Sequence, residues 1–420
     1  MNILNIEYEK YKLKNNMEVI LFNDSTLPLV ASNIWYKVGS ANEKRGKTGI
    51  AHLFEHMMFQ GSEHVQKELH FKYIQEAGGN LNGSTSFDRT NYYEKVPSNF
   101  LELVLWLESD RMGYFLPALT QEKLDNQIGV VKNERLERYD NQPYGLAWEI
   151  LLSKLFPKEH PYSWPTIGYM DDITGYTLDD VSSFFKEFYS PSNAVLVVAG
   201  DFEKSKAKEL IEKYFGNIPG NNHHKKTEQD TPQIKENIFI THKDKVQLER
   251  IYLAWHSAVA YSTDDADLDI LSDILSGSKN SRLYKNIVFD KELAQDISAY
   301  QFSGKSAGFF FIVATAKPGI QLKKLKAEIF NELDKVRKDG ITSDELIKSK
   351  NGIKSSFVYS MQNIDSLADQ INSYNFFLNE PNSFNFDLKR YEDVQTDGIQ
   401  KAAEKYLTKP YVELHVVPNK

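Results

Sequence analysis

The chain alternates between two spacings of apolar residues. MEVILFN (17–23) and LPLVASNIWYKV (27–38) place them at the two-residue spacing of strands, and LNGSTSF and TNYYEKV read as a further pair of strands. Residues 98–112 and 120–139 carry apolar positions three and four apart, which predicts helices. The second half repeats the mixture, with strands near 250–256, 296–302 and 307–315 and long helical stretches over 321–337 and 343–375. Strands and helices arriving in blocks predict a mixed α+β architecture rather than a doubly wound parallel sheet.

The two halves also end alike. LDDVSSFFKEFYS, Pro191 and AVLVVAGD close the first, and GIQKAAEKYLTK, Pro410 and YVELHVV close the second, so helix, proline and strand recur in the same order. A duplicated α/β unit of roughly 200 residues is the economical reading. Between Gly216 and Pro232 the segment GNIPGNNHHKKTEQDTP loses its apolar residues and gathers Gly, Pro, Asn and charge. The predicted domains are therefore 1–220 and 233–420, joined by a linker over 221–232 that carries His223 and His224 as solvated loop residues.

Composition narrows the chemistry. A length of 420 residues is enough for two or three domains, and 50 Lys+Arg against 58 Asp+Glu leave a net charge of −8. No global positive field exists to hold nucleic acid or an anionic membrane. With no Cys, thiol nucleophiles, disulfides, thiolate metal sites and iron–sulfur clusters are excluded, and a metal would have to be held by His, Asp or Glu. No apolar run reaches the roughly 20 residues needed to span a bilayer, and MNILNIEYEK offers neither a basic n-region nor an apolar h-region. The chain reads as soluble, cytoplasmic or, after removal of a signal peptide, periplasmic; a Cys-free chain leaves the compartment open.

One constellation carries chemistry. GIAHLFEHMMF holds His52, Glu55 and His56 in an H-x-x-E-H pattern. At 100° per residue the three ionisable side chains share one stripe of a helix, with Ile50, Leu53, Phe54 and Met57 opposite. Two His at i and i+4 can offer imidazole nitrogens to one tetrahedral ion, with the intervening Glu beside it to take a proton from water. The competing reading is an amphipathic surface helix with a solvated polar stripe. A catalytic zinc needs a third protein ligand. In TQEKLDNQIGVVKNERLERY the apolar face is Leu124, Ile128 and Val131; Glu134 lies about 70° from its centre, whereas Glu122 and Glu137 turn away. Periodicity alone leaves Glu134 open between a ligand and an ordinary helix-edge carboxylate. His64 and His70 rank lower, and His160, His242, His256 and His415 have no partners at ligand spacing.

AHLFEHMMFQGS, EAGGNLNGSTSFDRTNYY, VVKNERLERYDNQP and YSPSNAVLVVAGDF together resemble the M16, or pitrilysin-like, zinc peptidases, called inverzincins because H-x-x-E-H reverses the commoner H-E-x-x-H. The resemblance covers nearly the whole chain. It implies a duplicated M16 or LuxS-like metallohydrolase fold of two sandwich-like α/β domains, with metal in the first only. It further implies one Zn2+ per chain on His52, His56 and Glu134, with Glu55 as general base. Gly78 and Gly79 belong to the same matched strand, along which Asn82, Gly83, Ser84 and Thr85 are implied to bind an extended peptide substrate by strand addition.

Two departures from the family pattern stand out. Where the family often has a second Glu, seven residues before its third ligand, this chain has Gln127. Where self-sufficient members carry an Arg and a Tyr that hold the substrate carbonyl, this chain has Val288 and Gln295, with Arg282, Tyr284 and Tyr300 as nearby substitutes. An intact metal motif without that pair resembles the zinc-bearing subunit of a heterodimer, as in mitochondrial processing peptidase and bacterial two-subunit members. A chain of this length is half of the four-domain chamber that long members build from one polypeptide. The expectation is thus a zinc metalloendopeptidase subunit working with a second M16-like chain that carries the Arg/Tyr pair. The rivals are a self-sufficient homodimer and a non-catalytic assembly subunit.

Overall fold

The computed structural model describes residues 5–221 and 233–419; most of the linker, with His223 and His224, lies outside them. In chain order the strands are β1 (Tyr8–Lys12), β2 (Glu18–Asn23), β3 (Leu29–Tyr36), β4 (Asn80–Thr85), β5 (Thr90–Pro97), β6 (Ala194–Gly200), β7 (Ile238–Asp244), β8 (Arg250–Ser257), β9 (Ala294–Ser303), β10 (Gly308–Ala316) and β11 (Val412–Pro418). The helices of the first half are α1 (Ile50–Met57), α2 (Leu69–Glu76), α3 (Leu101–Tyr114), α4 (Gln121–Arg135), α5 (Ala147–Leu155), α6 (Met170–Thr174), α7 (Leu178–Phe188) and α8 (Lys204–Phe215). Those of the second are α9 (Asp265–Ser276), α10 (Leu322–Asp339), α11 (Ser343–Ser360), α12 (Ile364–Leu378), α13 (Phe384–Asp393) and α14 (Thr396–Leu407).

The fold is α+β, built as two similar units. One sheet has the order β1-β2-β6-β3-β5-β4 and the other β7-β11-β8-β10-β9. From β2 onward the two orders superimpose: β6 runs parallel to β2 and antiparallel to β3, as β11 runs parallel to β7 and antiparallel to β8. The repeated helix–proline–strand endings are the reason. Each returns the chain to the middle of a sheet, where AVLVVAG of β6 is buried on both faces and so reads as a continuous apolar run.

Compactness does not follow the chain. One unit comprises the described residues up to Arg135, those from Trp164 to Asn221, and Phe357–Asn385. The other comprises Leu136–Ser163, the described residues from 233 to Ser356, and those from Phe386 to 419. Each sheet is therefore backed by a helix from the opposite half of the sequence: α12 packs on β3, β5 and β6, and α5 packs on β8 and β11. The helix expected over 343–375 is two helices. The chain breaks at Met361–Gln362, and Asn363 takes an extended conformation ahead of α12. The apolar spacing continues across the break because both segments bury apolar side chains, so periodicity could not reveal it.

Candidate metal centre

Helix α1 starts from an unusual anchor. Gly49 sits at φ 87°, in the left-handed region that favours glycine, and a Cβ there would lie 2.4 Å from the Ile167 carbonyl oxygen. The amide hydrogens of the first turn need acceptors. Buried Glu43 supplies them, its carboxylate accepting from Gly49 N (2.9 Å), Ala51 N (2.9 Å) and Trp164 Nε1 (3.0 Å). Burial pushes the Glu43 carboxyl up to about 8, against the pull of these three donors. Ile50, Leu53, Phe54 and Met57 are all buried, as the wheel required, and this turns His52, Glu55 and His56 to the other side.

Glu134 on α4 meets that side. Its Oε2 lies 3.7 Å from His52 Nε2 and 3.4 Å from His56 Nε2. One donor atom from each of the three residues falls within 4.8 Å of the others. An ion bonded at about 2.0–2.2 Å in tetrahedral geometry separates its ligand atoms by roughly 3.3–3.6 Å, so this donor set fits a small divalent cation with little adjustment. Leu124 and Val131 of α4 are buried but Ile128 is only half-buried, while Gln127 is buried. The inward stripe is thus Leu124, Gln127, Val131 and Glu134, and Glu122 and Glu137 are exposed. Gln127 donates to Asn126 Oδ1 at 2.9 Å.

Glu55 stands beside the donors and faces β4. Its Oε2 accepts from Thr85 Oγ1 at 2.5 Å, and burial raises its carboxyl against the pull of Thr85 and His56. A Cβ on Gly83 would lie 3.2 Å from Glu55 Cγ, so glycine lets the strand lie this close without the Glu55 side chain giving way. Among the described residues β4 pairs only with β5 and forms the edge of its sheet. Ser86 N bonds to Arg89 O, which makes Ser84 and Asn91 a hydrogen-bonded pair two residues further on. Gly83 and Thr85 then turn their amide and carbonyl groups to the open edge, where the Gly83 amide donates to Oδ1 of exposed Asn82 (2.9 Å). Sequence reasoning missed Glu43, which lies six residues ahead of Gly49 with no periodic relation to it.

The remaining candidates are held elsewhere. His64 Nδ1 pairs with Asp110 Oδ1 at 2.6 Å, which raises its pKa. His70, Glu94 and Glu108 form a second cluster with metal-like spacing. Buried Arg111 pairs with both carboxylates, and burial raises both carboxyls, so one guanidinium cation together with one retained proton balances the two acids without an ion. In the other unit Val288 packs against the core and Gln295 is exposed on β9. Arg282 is committed to a two-pronged pair with Glu345 (2.6 and 2.7 Å), and Tyr284 packs against the core, which leaves Tyr300 exposed.

Comparison with known proteins places this geometry. Residues 18–165 match the family described as "Insulinase (Peptidase family M16)", and residues 175–353 match "Peptidase M16 inactive domain". Zinc protease PqqE of Helicobacter pylori is 30% identical over 95% of this chain and 90% of its own length. The uncharacterized zinc protease YmxG of Bacillus subtilis is 26% identical over 98% of both. A crystal structure of a protease from Helicobacter pylori superimposes with a TM-score of 0.93 at 29% identity, covering 99% of this chain and all of that one. The periplasmic protease PqqL of Escherichia coli shares the fold at 17% identity and a TM-score of 0.79, with this chain covering 48% of its length. With both M16 domain types matched in order and a full-length relative at 30% identity, the chain belongs to peptidase family M16.

Proposed function

We propose that this chain is a zinc-dependent endopeptidase subunit that cleaves extended peptides. The observation that carries the reading is the meeting of three donors, His52, His56 and Glu134, with Glu55 at the open edge of β4. The zinc-protease names of its relatives PqqE and YmxG agree with it. His52, His56 and Glu134 would hold a zinc ion, which would supply Lewis acidity toward a scissile carbonyl and a bound water. Glu55 takes the proton of the attacking water and passes it to the leaving amine, a role served by burial that lifts its affinity for a proton. Thr85 holds one of its carboxylate oxygens. The peptide lies along β4, pairing its backbone with Gly83 and Thr85, while Asn82 and Ser84 flank the strand. Because backbone is what pairs, unfolded segments of varied sequence are accepted.

A second chain completes the pocket. At the positions where the family's Arg/Tyr pair would stand, Val288 packs against the core and Gln295 is exposed, and the nearby Arg282 is paired with Glu345, so none of the three offers a free Arg or Tyr to the substrate carbonyl. PqqL is about twice this length, and this chain covers 48% of it. The partner is a second M16-like subunit carrying the pair or a second copy of this chain using Tyr300. An assembly subunit without chemistry would have no need of this donor set.

Metal content by plasma mass spectrometry decides the first step: about one zinc per chain in the wild type, lost in His52→Ala and Glu134→Ala and kept in Glu55→Gln. Absence of zinc from the folded wild-type chain would sink the proposal. Cleavage of labelled casein by the purified single chain, abolished by Glu55→Gln, would show that no other subunit is required.

A further inference from the structure

One rung of the first sheet runs from its interior to the open edge. Trp35 on β3 pairs with Asn91 on β5, and Asn91 pairs with Ser84 on β4. Neighbouring side chains alternate in direction, so Trp35, Asn91 and Ser84 lie on the face opposite Glu55, Gly83 and Thr85. On that face sits α12, contributed by the C-terminal half of the chain. Its Asp369 Oδ1 accepts from Trp35 Nε1 (2.8 Å), Asn91 Nδ2 (2.9 Å) and Asn33 Nδ2 (3.0 Å). Asn91 is nine-tenths buried or more, and its Oδ1 in turn accepts from Ser84 Oγ (2.7 Å) and Arg89 Nη1 (3.2 Å). The same Arg89 nitrogen donates to the Ser84 carbonyl (2.9 Å) and hydroxyl (2.5 Å). The guanidinium stacks on Trp35 at 5.1 Å from the ring centroid and is attracted by the Asp369 carboxylate.

Every group in this chain of contacts is held by the next, and the last is Ser84, between the two residues whose backbone faces the open edge. We propose that Asp369 is a positioning residue for the β4 edge, locking Asn91 and Arg89 onto Ser84 and thereby fixing where Gly83 meets the peptide and where Thr85 holds Glu55. The proposal rests on the peptidase reading for its consequence, while its geometry stands apart from it. The physical need is plain: an edge strand paired on one side only is free to fray, and a residue that aligns substrate and base must not move by an ångström. Asp369 ties the edge to the sheet interior from the face that substrate does not use.

Hydrogen exchange on the full zinc-loaded chain tests the positioning without needing activity. Asp369→Ala is expected to speed amide exchange over residues 83–91 by roughly tenfold, with zinc per chain unchanged, since the donors lie on α1 and α4. Asp369→Asn keeps an acceptor and loses the charge facing Arg89, so it falls between and serves should the alanine variant not fold. With labelled casein, in whichever assembly is active, Asp369→Ala raises KM and lowers kcat, each by roughly tenfold, and Asp369→Asn restores most of the KM. A merely structural loss would cut the active fraction and leave KM in place. Asn372→Ala is the control: it docks the same helix through the Asn33 carbonyl (2.9 Å) and is expected to lower Tm without changing exchange at 83–91 or KM. Unchanged exchange in both Asp369 variants, or the same changes in Asn372→Ala, would overturn the proposal. A wild-type chain without peptidase activity would instead count against the function and leave the exchange result to decide this point.

Discussion

Glu43→Ala is expected to weaken the proposed metal centre although Glu43 is not one of its proposed ligands. The substitution removes the acceptor of three hydrogen bonds, but Trp164 Nε1 keeps a second acceptor in Ser40 O at 3.2 Å, so two buried donors, Gly49 N and Ala51 N, are orphaned. At about 1–3 kcal/mol for each orphaned buried donor the cost is about 2–6 kcal/mol. That is a large share of the about 5–15 kcal/mol typical of whole proteins. For a unit of this size each kcal/mol moves Tm by about 2–4 °C, so the lower bound alone predicts a fall of about 4–8 °C. Calorimetry on the zinc-free chain reads this directly. Because the orphaned groups lie in the turn that carries His52, zinc affinity in a competition with a chromogenic chelator should also fall, by roughly tenfold for each 1.4 kcal/mol that re-forming the turn consumes. Glu43→Gln turns an N–H toward one of the two donors and should recover at most half of the stability. A Tm within about 2 °C of wild type together with unchanged zinc affinity would refute the claim that this carboxylate holds the helix start.

Three further outcomes follow from the same geometry. Thr85→Val, which keeps shape and removes the hydroxyl bonded to Glu55, should lower kcat on labelled casein by roughly tenfold with zinc retained, and Thr85→Ser should restore it; equal rates in the two variants would contradict the contact. Gly83→Ala places a Cβ 3.2 Å from Glu55 Cγ and Tyr92 Cδ1, so kcat should fall by a comparable factor without loss of zinc. Burial lowers His70 to about 3, below its unfolded value near 6.5, so the unfolded chain takes up a proton that the folded chain refuses; stability is present above about 6.5 and is lost as pH falls toward 3, at about 1.4 kcal/mol per pH unit. Urea midpoints at pH 7.5 and 5.5 should therefore converge more in His70→Gln than in wild type, and identical pH dependence in both would exclude His70 as a source of acid lability.

The sequence by itself determined what depends on short spacing. His52, Glu55 and His56 share a helix stripe because i, i+3 and i+4 do so on any α-helix, whereas the period of α4 left Glu134 open between a ligand and an edge carboxylate, and only the resemblance to M16 peptidases singled it out. The His52–Glu55–His56 stripe was legible for that reason, as were the strands other than β1 and β7 and the duplication, since each half repeats one local pattern that ends in a central strand. The wheel erred only in detail, placing Ile128 where buried Gln127 belongs. Tertiary structure decided the rest. It split 343–375 into two helices, sent α5 and α12 to the sheets of the opposite halves, and brought Glu43 to the start of α1. It also set Asp369 on Asn91 from 278 residues away. A contact of that range leaves no periodic trace, because the partners are joined by how the sheet and helix pack and not by the turn of one element; a carboxylate at position 369 reads as one more polar residue until the sheet beneath it is built.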